Sequence, residues 1–240
     1  MRAFVVEHLA ERGSGGFDTW LPEAGLDLDV HWVPADGPPP KALPGGYDAL
    51  VLMGGAMGVP DDGTTHRWLH DEYALVRDAV QRHVPTLGVC LGGQVMAQAL
   101  GGEVIRGRVG PEAGVRPLHL LPAAAADPLL HDLPAIVNAV QWHWDEVLTL
   151  PPGAVHLAAS PAYPHQAFRV GERAWGVQFH PEAGPALTQG WARADEAALK
   201  EAGEDAYALA AEVEARWPEL EATWRPVAER FAGVVRVTSG

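Results

Sequence analysis

The first hundred residues alternate short apolar runs with segments of helical periodicity. Apolar or alternating runs predict strands at residues 3–7, 26–33, 48–53 and 86–90. Between the last two, apolar positions recur three or four residues apart from residue 66 to 83, which predicts a helix capped by Thr64 or Thr65. A second helix is predicted at 94–100. Strands that alternate with helices favour a parallel sheet with helices on both faces.

The middle of the chain has a different pattern, with short strands and no long helix between them. Strands are predicted at residues 113–120, 136–140, 155–159, 166–170 and 174–179. From residue 183 the sequence becomes rich in Ala and Glu, and Pro218 is expected to divide two helices at about 204–216 and 219–232. We therefore expect an α/β fold. Its open, mostly parallel twisted sheet is flanked by helices and carries a small antiparallel β annex and a helical C-terminal tail.

Composition narrows the class of protein and its partners. The 240 residues are 48% hydrophobic and 20% charged, as is typical of a soluble globular enzyme. The chain has 17 basic and 31 acidic residues, and its net charge of −14 disfavours nucleic acid and anionic membrane surfaces as partners. The uncharged run 84–102 holds Pro85 and five glycines, which fits a buried strand, turn and helix better than a membrane span.

Cysteine usage and the N-terminal residues bear on the compartment. A single cysteine cannot form an internal disulfide, which favours a reducing environment. The first residues lack the longer apolar core and the small-residue cleavage site of a secretory signal. We therefore expect a cytoplasmic protein.

The segment "PTLGVCLGGQ", residues 85–94, places that one cysteine between a predicted strand and a predicted helix. A turn of this kind lifts Cys90 above the sheet edge, near the positive end of a helix dipole that favours a thiolate. It also directs successive backbone N–H groups towards the space beside the sulfur, where an oxyanion can bind. Gly92 and Gly93 are expected to allow the tight backbone and to leave room for a substrate. Taken alone, Cys90 also fits a small buried hydrophobic residue.

A second motif, "WGVQFHPE" at residues 175–182, ends an apolar strand with a histidine. Alternation places His180 and Glu182 on the same side of the chain. A carboxylate there can hold the imidazole in the orientation that accepts a thiol proton. A solvated loop after a strand is the alternative interpretation of these residues.

Taken together, the two motifs resemble a known family. "GVCLGGQ" followed about ninety residues later by "GVQFHPE" resembles the class I glutamine amidotransferase domain of the Cys-His-Glu kind. "DALVLMGGAMGV" resembles its strand and glycine loop, and "VNAVQWHWDEVLTLPPGAVHLAAS" followed by "HQAF" resembles stand-alone members described as GMP-synthase-like. The resemblance implies an amidotransferase-like domain at residues 1–190. Residues 191–240 match no motif of the family, and their helical pattern predicts an extension packed on the same domain.

The resemblance also implies catalytic roles. Cys90 would be the nucleophile that forms a γ-glutamyl thioester. His180 would be the base that activates Cys90 and then protonates the departing ammonia, and Glu182 would orient His180. The backbone N–H groups of Gly55 and Leu91 would form the oxyanion hole.

Other positions match the family's contacts with the substrate. These positions are Gly54, Gln94, Gln141, Trp142 and His143. From the residues alone, Trp142 and Trp144 also fit core or rim aromatics, and Asp145 also fits a turn cap.

The implied activity is hydrolysis of the glutamine side-chain amide, with delivery of ammonia to an acceptor or a separate synthetase subunit. Two alternatives stay open: a stand-alone hydrolase or peptidase of small γ-glutamyl compounds, and a non-catalytic binding or regulatory protein. An enzyme of this kind needs no cofactor, and no metal site is predicted because no glutamate follows His66 in the zinc-protease arrangement with His70. "SGGFDT" at 14–19 resembles a nucleotide loop but is interpreted as a glycine loop near the active-site rim.

Overall fold

A central sheet between two layers of helices organises the protein. The computed structural model describes residues 1–9, 13–61 and 66–238. The strands are β1 (Arg2–Glu7), β2 (Asp27–Trp32), β3 (Ala49–Leu52), β4 (Thr86–Val89), β5 (Glu103–Arg106), β6 (Glu112–Leu120), β7 (Ile136–His143), β8 (Asp145–Thr149), β9 (Val155–Ala159), β10 (Ala167–Val170) and β11 (Ala174–Val177). The helices are α1 (Phe17–Glu23), α2 (Val33–Asp36), α3 (Leu69–Gln81), α4 (Leu91–Ala99), α5 (Pro185–Glu201) and α6 (Ala206–Thr238).

Nine strands form the main sheet in the order β2-β1-β3-β4-β11-β10-β9-β6-β7. The pairs from β2 to β11 are parallel, and the pairs from β11 to β7 are antiparallel. Strands β5 and β8 form a small separate antiparallel sheet. This topology confirms the predicted α/β fold. It also places Val177 opposite Val89, so the strands that carry the two motifs lie side by side and end at the same edge.

The central strands are apolar because both of their faces are covered. Every residue of β3, β4 and β11 is buried, which is the pattern expected of a parallel sheet between helices. On one face, α3 and α4 pack against residues such as Leu50 and Leu52. On the other, α1 and α6 pack against Val51 and Val89.

Two glycines allow α4 to lie directly on the sheet. A side chain at Gly92 would collide with the carbonyl oxygen of Leu52, and one at Gly93 would collide with that of Val177. The space that these glycines leave is therefore filled by β3 and β11. The expectation that it would accommodate substrate is wrong, because both glycines face the strands.

The C-terminal helix is unbroken, so the predicted division at Pro218 is wrong. Both Pro218 and Pro226 lie inside α6, and each interior proline costs a helix about 3 kcal/mol. Beyond Pro218, the side chains of Leu220, Trp224 and Phe231 are buried in the main core. Burial of each such side chain is worth roughly 1.5–3 kcal/mol, so together they offset a cost of the size that two interior prolines impose.

The ends of the other elements lie close to the predicted ones. Helix α3 begins at Leu69, and the predicted caps Thr64 and Thr65 lie outside the described residues. The sequence patterns did not indicate α1, α2, β5 or β8, which are short. The boundary predicted at residue 190 falls inside α5, and α6 packs on α1, β6 and β7.

Candidate active site

Cys90 occupies the sharp turn between β4 and α4. Its φ of 49° and ψ of −106° are unusual for a residue with a side chain. Hydrogen bonds hold this backbone on both sides, from Cys90 N to Val177 O at 2.8 Å and from Gln94 N to Cys90 O at 2.9 Å. The turn presents the thiol at the floor of a cleft, and neighbouring structure overcomes the cost of the conformation.

The start of α4 and the glycine loop after β3 lie beside Cys90. Leu91 is the first residue of α4, where N–H groups have no acceptor within the helix and the dipole is positive. The glycine loop after β3 approaches from the adjacent strand. A methyl group on Gly54 would lie 2.8 Å from His180 Cε1 and 3.7 Å from Cys90 Cβ, and one on Gly55 would collide with Leu91. Only glycines allow this loop to lie so close to Cys90 and His180.

His180 and Glu182 form a buried pair directly after β11. Nδ1 of His180 lies 2.9 Å from Oε1 of Glu182, and both side chains are almost fully buried. The His180 backbone donates a hydrogen bond to Val140 O at 2.8 Å, which ties it to β7. The arrangement fixes the imidazole relative to the sheet edge.

The segment "SGGFDT", residues 14–19, lies behind Glu182. Gly16 N donates to Glu182 O at 2.8 Å, and a side chain at Gly15 would collide with the same oxygen. Ser14 Oγ donates to Glu7 Oε1 at 2.8 Å, which anchors the loop to the end of β1. The segment therefore supports the Glu182 backbone.

The environment of His180 stabilises its charged form. Burial by itself would lower the pKa of His180, but the negative charges of Glu182 and Cys90 and hydrogen bonds to both raise it from 6.5 to about 10. At neutral pH the ring therefore carries a proton. A cationic imidazolium beside the sulfur stabilises a thiolate.

Gln178 also contacts the Cys90 thiol, although it was not predicted as a site residue. Its Nε2 lies 3.7 Å from Cys90 Sγ. Its Oε1 accepts a hydrogen bond from Gln94 Nε2 at 3.2 Å, and both amides are buried. Its place in the site was detectable from the sequence in principle, because alternation puts Gln178, two residues before His180, on the same side of the chain as His180.

A cleft of about 330 Å³ opens above Cys90 and His180. Its walls come from the glycine loop, the end of β7 with the start of β8, and one face of α5. The lining residues are Leu9, Gly54, Gly55, Ala56, Met57, Gly58, Cys90, Gln94, Arg106, Trp142, His143, Trp144, Asp145, His180, Trp191, Ala194, Asp195 and Ala198. The predicted substrate-binding residues Gly54, Gln94, Trp142 and His143 thus lie together in one cleft.

Gln141 lies behind this cleft. It is fully buried, and its Nε2 donates to Gln166 Oε1 at 2.9 Å. Gln166 in turn donates to Glu112 Oε2 at 2.8 Å, and His143 Nε2 lies 3.2 Å from the same oxygen. Gln141 therefore belongs to a buried polar network that supports His143, and its direct contact with a substrate stays a prediction.

Helix α5 supplies a wall that the motifs did not predict. The Trp191 ring centroid lies 4.5 Å from that of His180 and 5.8 Å from that of Trp142. Trp142 Nε1 donates to Asp195 Oδ2 at 2.9 Å. No sequence motif covers this helix, so only packing reveals its place at the site.

Cys90, the His180–Glu182 pair and the glycine loop thus meet at the ends of neighbouring strands, as the resemblance to the amidotransferase domain implies. The family model for class I glutamine amidotransferases matches residues 19–190 of this chain. The chain belongs to that family. Its membership confirms the resemblance and supports the predicted enzyme class, a cysteine hydrolase of the glutamine amidotransferase type.

Individual related proteins support the same assignment. The chain is 34% identical over 159 residues to one of the subunits of glutamine-hydrolysing GMP synthase from Methanosarcina barkeri, covering 65% of this chain and 76% of the relative. It is 37% identical over 133 residues to a GMP synthase from Aeropyrum pernix, covering 55% of this chain. The match spans only 24% of that longer relative.

Solved structures share the whole fold. A glutamine amidotransferase from Thermotoga maritima superposes with a TM-score of 0.84 at 27% identity, covering 96% of this chain and 97% of that one. A glutamine amidotransferase from Methylobacillus flagellatus gives a TM-score of 0.83 at 26% identity, with 97% and 94% coverage. The similarity therefore extends through α5 and α6, beyond the region of the family model.

Metal ligands and membrane spans are both lacking in the part of the chain that the structure describes. Within residues 1–9, 13–61 and 66–238, no group of three His, Cys, Asp or Glu side chains is placed to hold a metal ion. No helix in these ranges has the length and apolar character needed to cross a bilayer.

Proposed function

We propose that the protein hydrolyses the side-chain amide of glutamine through a γ-glutamyl thioester on Cys90 and delivers the ammonia to an acceptor. The observation that carries this proposal is the position of Cys90. It lies on a strained turn at the floor of the cleft, beside a buried His180–Glu182 pair whose imidazole is protonated. Such a pair supports nucleophilic attack on an amide.

In the first half of the reaction, the Cys90 thiolate attacks the amide carbon and a C–S bond forms. Negative charge then develops on the carbonyl oxygen, where the N–H groups of Gly55 and Leu91 are proposed to bind it. Such donors contribute about 3–4 kcal/mol to a step of this kind. When the C–N bond breaks, His180 gives its proton to the nitrogen and ammonia leaves.

In the second half, water attacks the thioester while His180 accepts a proton from it. The C–S bond breaks, glutamate leaves, and the thiolate–imidazolium pair is restored. Glu182 keeps the ring in one orientation through both halves. Gln94, Trp142 and His143 are proposed to bind the amino acid, with Gly54 leaving space beside His180.

The acceptor of the ammonia is proposed to lie on a separate protein. The relative from Methanosarcina barkeri is named as one of the subunits of a GMP synthase, and a synthetase subunit is the partner class that this comparison supports. A cytoplasmic location, where glutamine is available, stays a prediction.

A second candidate is a stand-alone hydrolase of small γ-glutamyl compounds that uses the same residues. The wall that α5 adds to the cleft favours this reaction. Trp191, Ala194 and Ala198 give it apolar and small side chains against which a leaving group larger than ammonia could pack.

The test measures glutamate release from glutamine and from γ-glutamyl dipeptides, with Cys90→Ser as the inactive control. The proposal predicts turnover of glutamine that increases when a synthetase subunit binds. High turnover of the dipeptides with little on glutamine would support the second candidate. If no substrate turned over and a γ-glutamyl electrophile left Cys90 unlabelled, a non-catalytic binding role would replace both.

A further inference from the structure

Another buried histidine–carboxylate pair lies behind the active site and has no part in the reaction proposed above. His8 directly follows β1, and Glu72 lies in the first turn of α3. His8 Nε2 is 3.0 Å from Glu72 Oε1, and neither side chain has any exposed surface. The Trp68 ring stacks on His8 at 5.6 Å with an interplanar angle of 16°. A fully buried charged pair is costly to retain, which raises the question of what it binds.

The other ring nitrogen of His8 reaches the glycine loop. His8 Nδ1 lies 3.2 Å from the carbonyl oxygen of Gly54. A carbonyl only accepts, so Nδ1 donates there, while Nε2 donates to the carboxylate of Glu72. With both nitrogens protonated, the ring is a cation.

The electrostatics of the site agree with this assignment. Burial by itself would lower the pKa of His8, but the charge of Glu72 and hydrogen bonds to Glu72 and Gly54 raise it above the usual value. A cationic donor makes a stronger hydrogen bond to a carbonyl than a neutral donor does.

The Gly54 carbonyl and the Gly55 N–H belong to one peptide group. The described residues contain no cis peptide bond, and in a trans peptide the C=O and N–H point in opposite directions. A donor that holds the Gly54 oxygen from behind therefore directs the Gly55 N–H to the opposite side. A cation on the oxygen also polarises the amide, which makes its N–H a stronger donor.

Without an external contact, this peptide would be poorly restrained. Glycine lacks the Cβ that limits backbone rotation, and two glycines in succession form the loop. On its other side the loop lies close to His180: a methyl group on Gly54 would come within 2.8 Å of His180 Cε1. The orientation of one peptide plane thus decides whether a donor faces the cleft.

We propose that His8, held in place by Glu72, is a positioning residue that fixes the peptide between Gly54 and Gly55 so that the Gly55 N–H faces the tetrahedral intermediate. The inference rests on the proposed function, since that reaction creates the oxyanion. Neither His8 nor Glu72 lines the cleft, so the pair acts on the reaction only through the glycine loop.

Two reactions at the same sulfur distinguish this role from general damage to the fold. Hydrolysis of glutamine passes through an oxyanion. Alkylation of Cys90 by iodoacetamide forms a C–S bond, expels iodide and creates no oxyanion. The double variant His8→Leu with Glu72→Leu removes the donor without leaving an unpaired buried charge.

For this double variant we expect kcat for glutamine to fall by about 10- to 100-fold. This fall should not exceed the fall in kcat that follows complete removal of one oxyanion donor. The KM and the rate of Cys90 alkylation should stay within about threefold of wild type, since ground-state binding and the thiolate are untouched. His8→Asn in the Glu72→Leu background keeps a neutral donor near the position of Nδ1, and should recover part of kcat.

A matched control removes a charged pair away from the cleft. Arg169 Nε lies 2.8 Å from the fully buried Asp127 Oδ2. The double variant Arg169→Leu with Asp127→Leu should lower thermal stability yet keep wild-type kcat. If the His8 double variant failed to fold, Glu72→Gln, which keeps the side-chain shape and removes only its charge, would be compared with wild type in the same two reactions.

The outcomes separate the inference from the proposed function. Absence of turnover by the wild-type protein would overturn both. Turnover by wild type that is unchanged in the His8 variants would overturn the inference alone. A parallel fall in turnover and alkylation would also overturn it, because the pair would then support the whole site and not the oxyanion.

Discussion

Nδ1 of His180 lies 2.9 Å from Oε1 of Glu182, and burial of both side chains excludes water from this contact. The carboxylate accepts a hydrogen bond from Nδ1–H, which leaves Nε2 available for the proposed proton exchange with Cys90. The same contact raises the pKa of His180 to about 10, together with Cys90 and against the effect of burial. The orientation and the charge of His180 therefore both depend on one carboxylate.

Replacement of that carboxylate should change the pH dependence of the reaction. In Glu182→Gln the neutral amide no longer stabilises the imidazolium, so His180 should lose its proton at a lower pH. Since protonated His180 is the proposed acid, kcat/KM in wild type should fall as pH rises towards about 10, and this basic limb should move down in the variant. Glutamate release from about pH 6 to about pH 11 measures the limb. An unchanged limb would contradict the assignment.

The proton on His180 also stabilises the folded state, and this stabilisation depends on pH. The folded-state pKa of His180, about 10, lies above its ordinary value of 6.5. The contribution is therefore complete below pH 6.5 and is lost as pH rises through about 10. Thermal unfolding of wild type and Glu182→Gln should thus differ most near pH 6.5 and converge as the pH rises towards about 10.

The space beside His180 allows no side chain on the glycine loop. In Gly54→Ala the new methyl group would lie 2.8 Å from His180 Cε1, which forces the ring or the loop to move. We expect kcat/KM to fall by about 10- to 100-fold, because small misplacements of reacting groups have effects of this size. Steady-state kinetics provide the measurement. Gly45→Ala is the matched control, since nothing lies within 4 Å of a methyl group there, and an equal loss in both variants would refute a local cause.

The aromatic wall from α5 should affect both binding and catalysis. Trp191→Ala removes a ring whose centroid lies 4.5 Å from that of His180. Aromatic contacts of this kind contribute about 0.5–1.5 kcal/mol, so kcat/KM should fall roughly 2- to 10-fold. Trp191→Phe keeps a ring and should retain most activity. Steady-state kinetics with glutamine and with a γ-glutamyl dipeptide compare the two substrates. If Trp191→Ala kept the wild-type kcat/KM on both, α5 would have no part in the site.

The part of α6 beyond Pro218 should contribute to the stability of the core. Trp224 is 1% exposed, packs 4.7 Å from the Phe179 ring centroid and donates to Asn138 O at 3.0 Å. We expect Trp224→Ala to lower the free energy of unfolding by about 3–5 kcal/mol. Val237→Ala, at a position 83% exposed, should change it by less than about 0.5 kcal/mol. Urea unfolding measures both, and an unchanged main transition in Trp224→Ala would mean that α6 folds separately from the sheet.

Local patterns in the sequence were sufficient to predict the turn that carries Cys90. The apolar run before Cys90 and the glycines after it specify a strand, a sharp turn and a helix through neighbouring residues alone. The pairing of His180 with Glu182 is equally local, since alternation places residues two apart on the same side. The same alternation also places Gln178 on this side of the chain, although it was not used to predict Gln178 as a site residue.

The tertiary structure decided the features that depend on distant segments. Pro218 predicts a break when only local propensity is considered, yet burial of Trp224 and Phe231 keeps α6 continuous. The packing of Trp191 against His180, and of His8 against Gly54, joins segments with no shared motif. Propensity and alternation act over a few residues, whereas burial and hydrogen bonding act between whichever segments the fold brings together. The sequence alone therefore determined which residue is the candidate nucleophile, and the packing of β1, α3 and α5 determined what surrounds it.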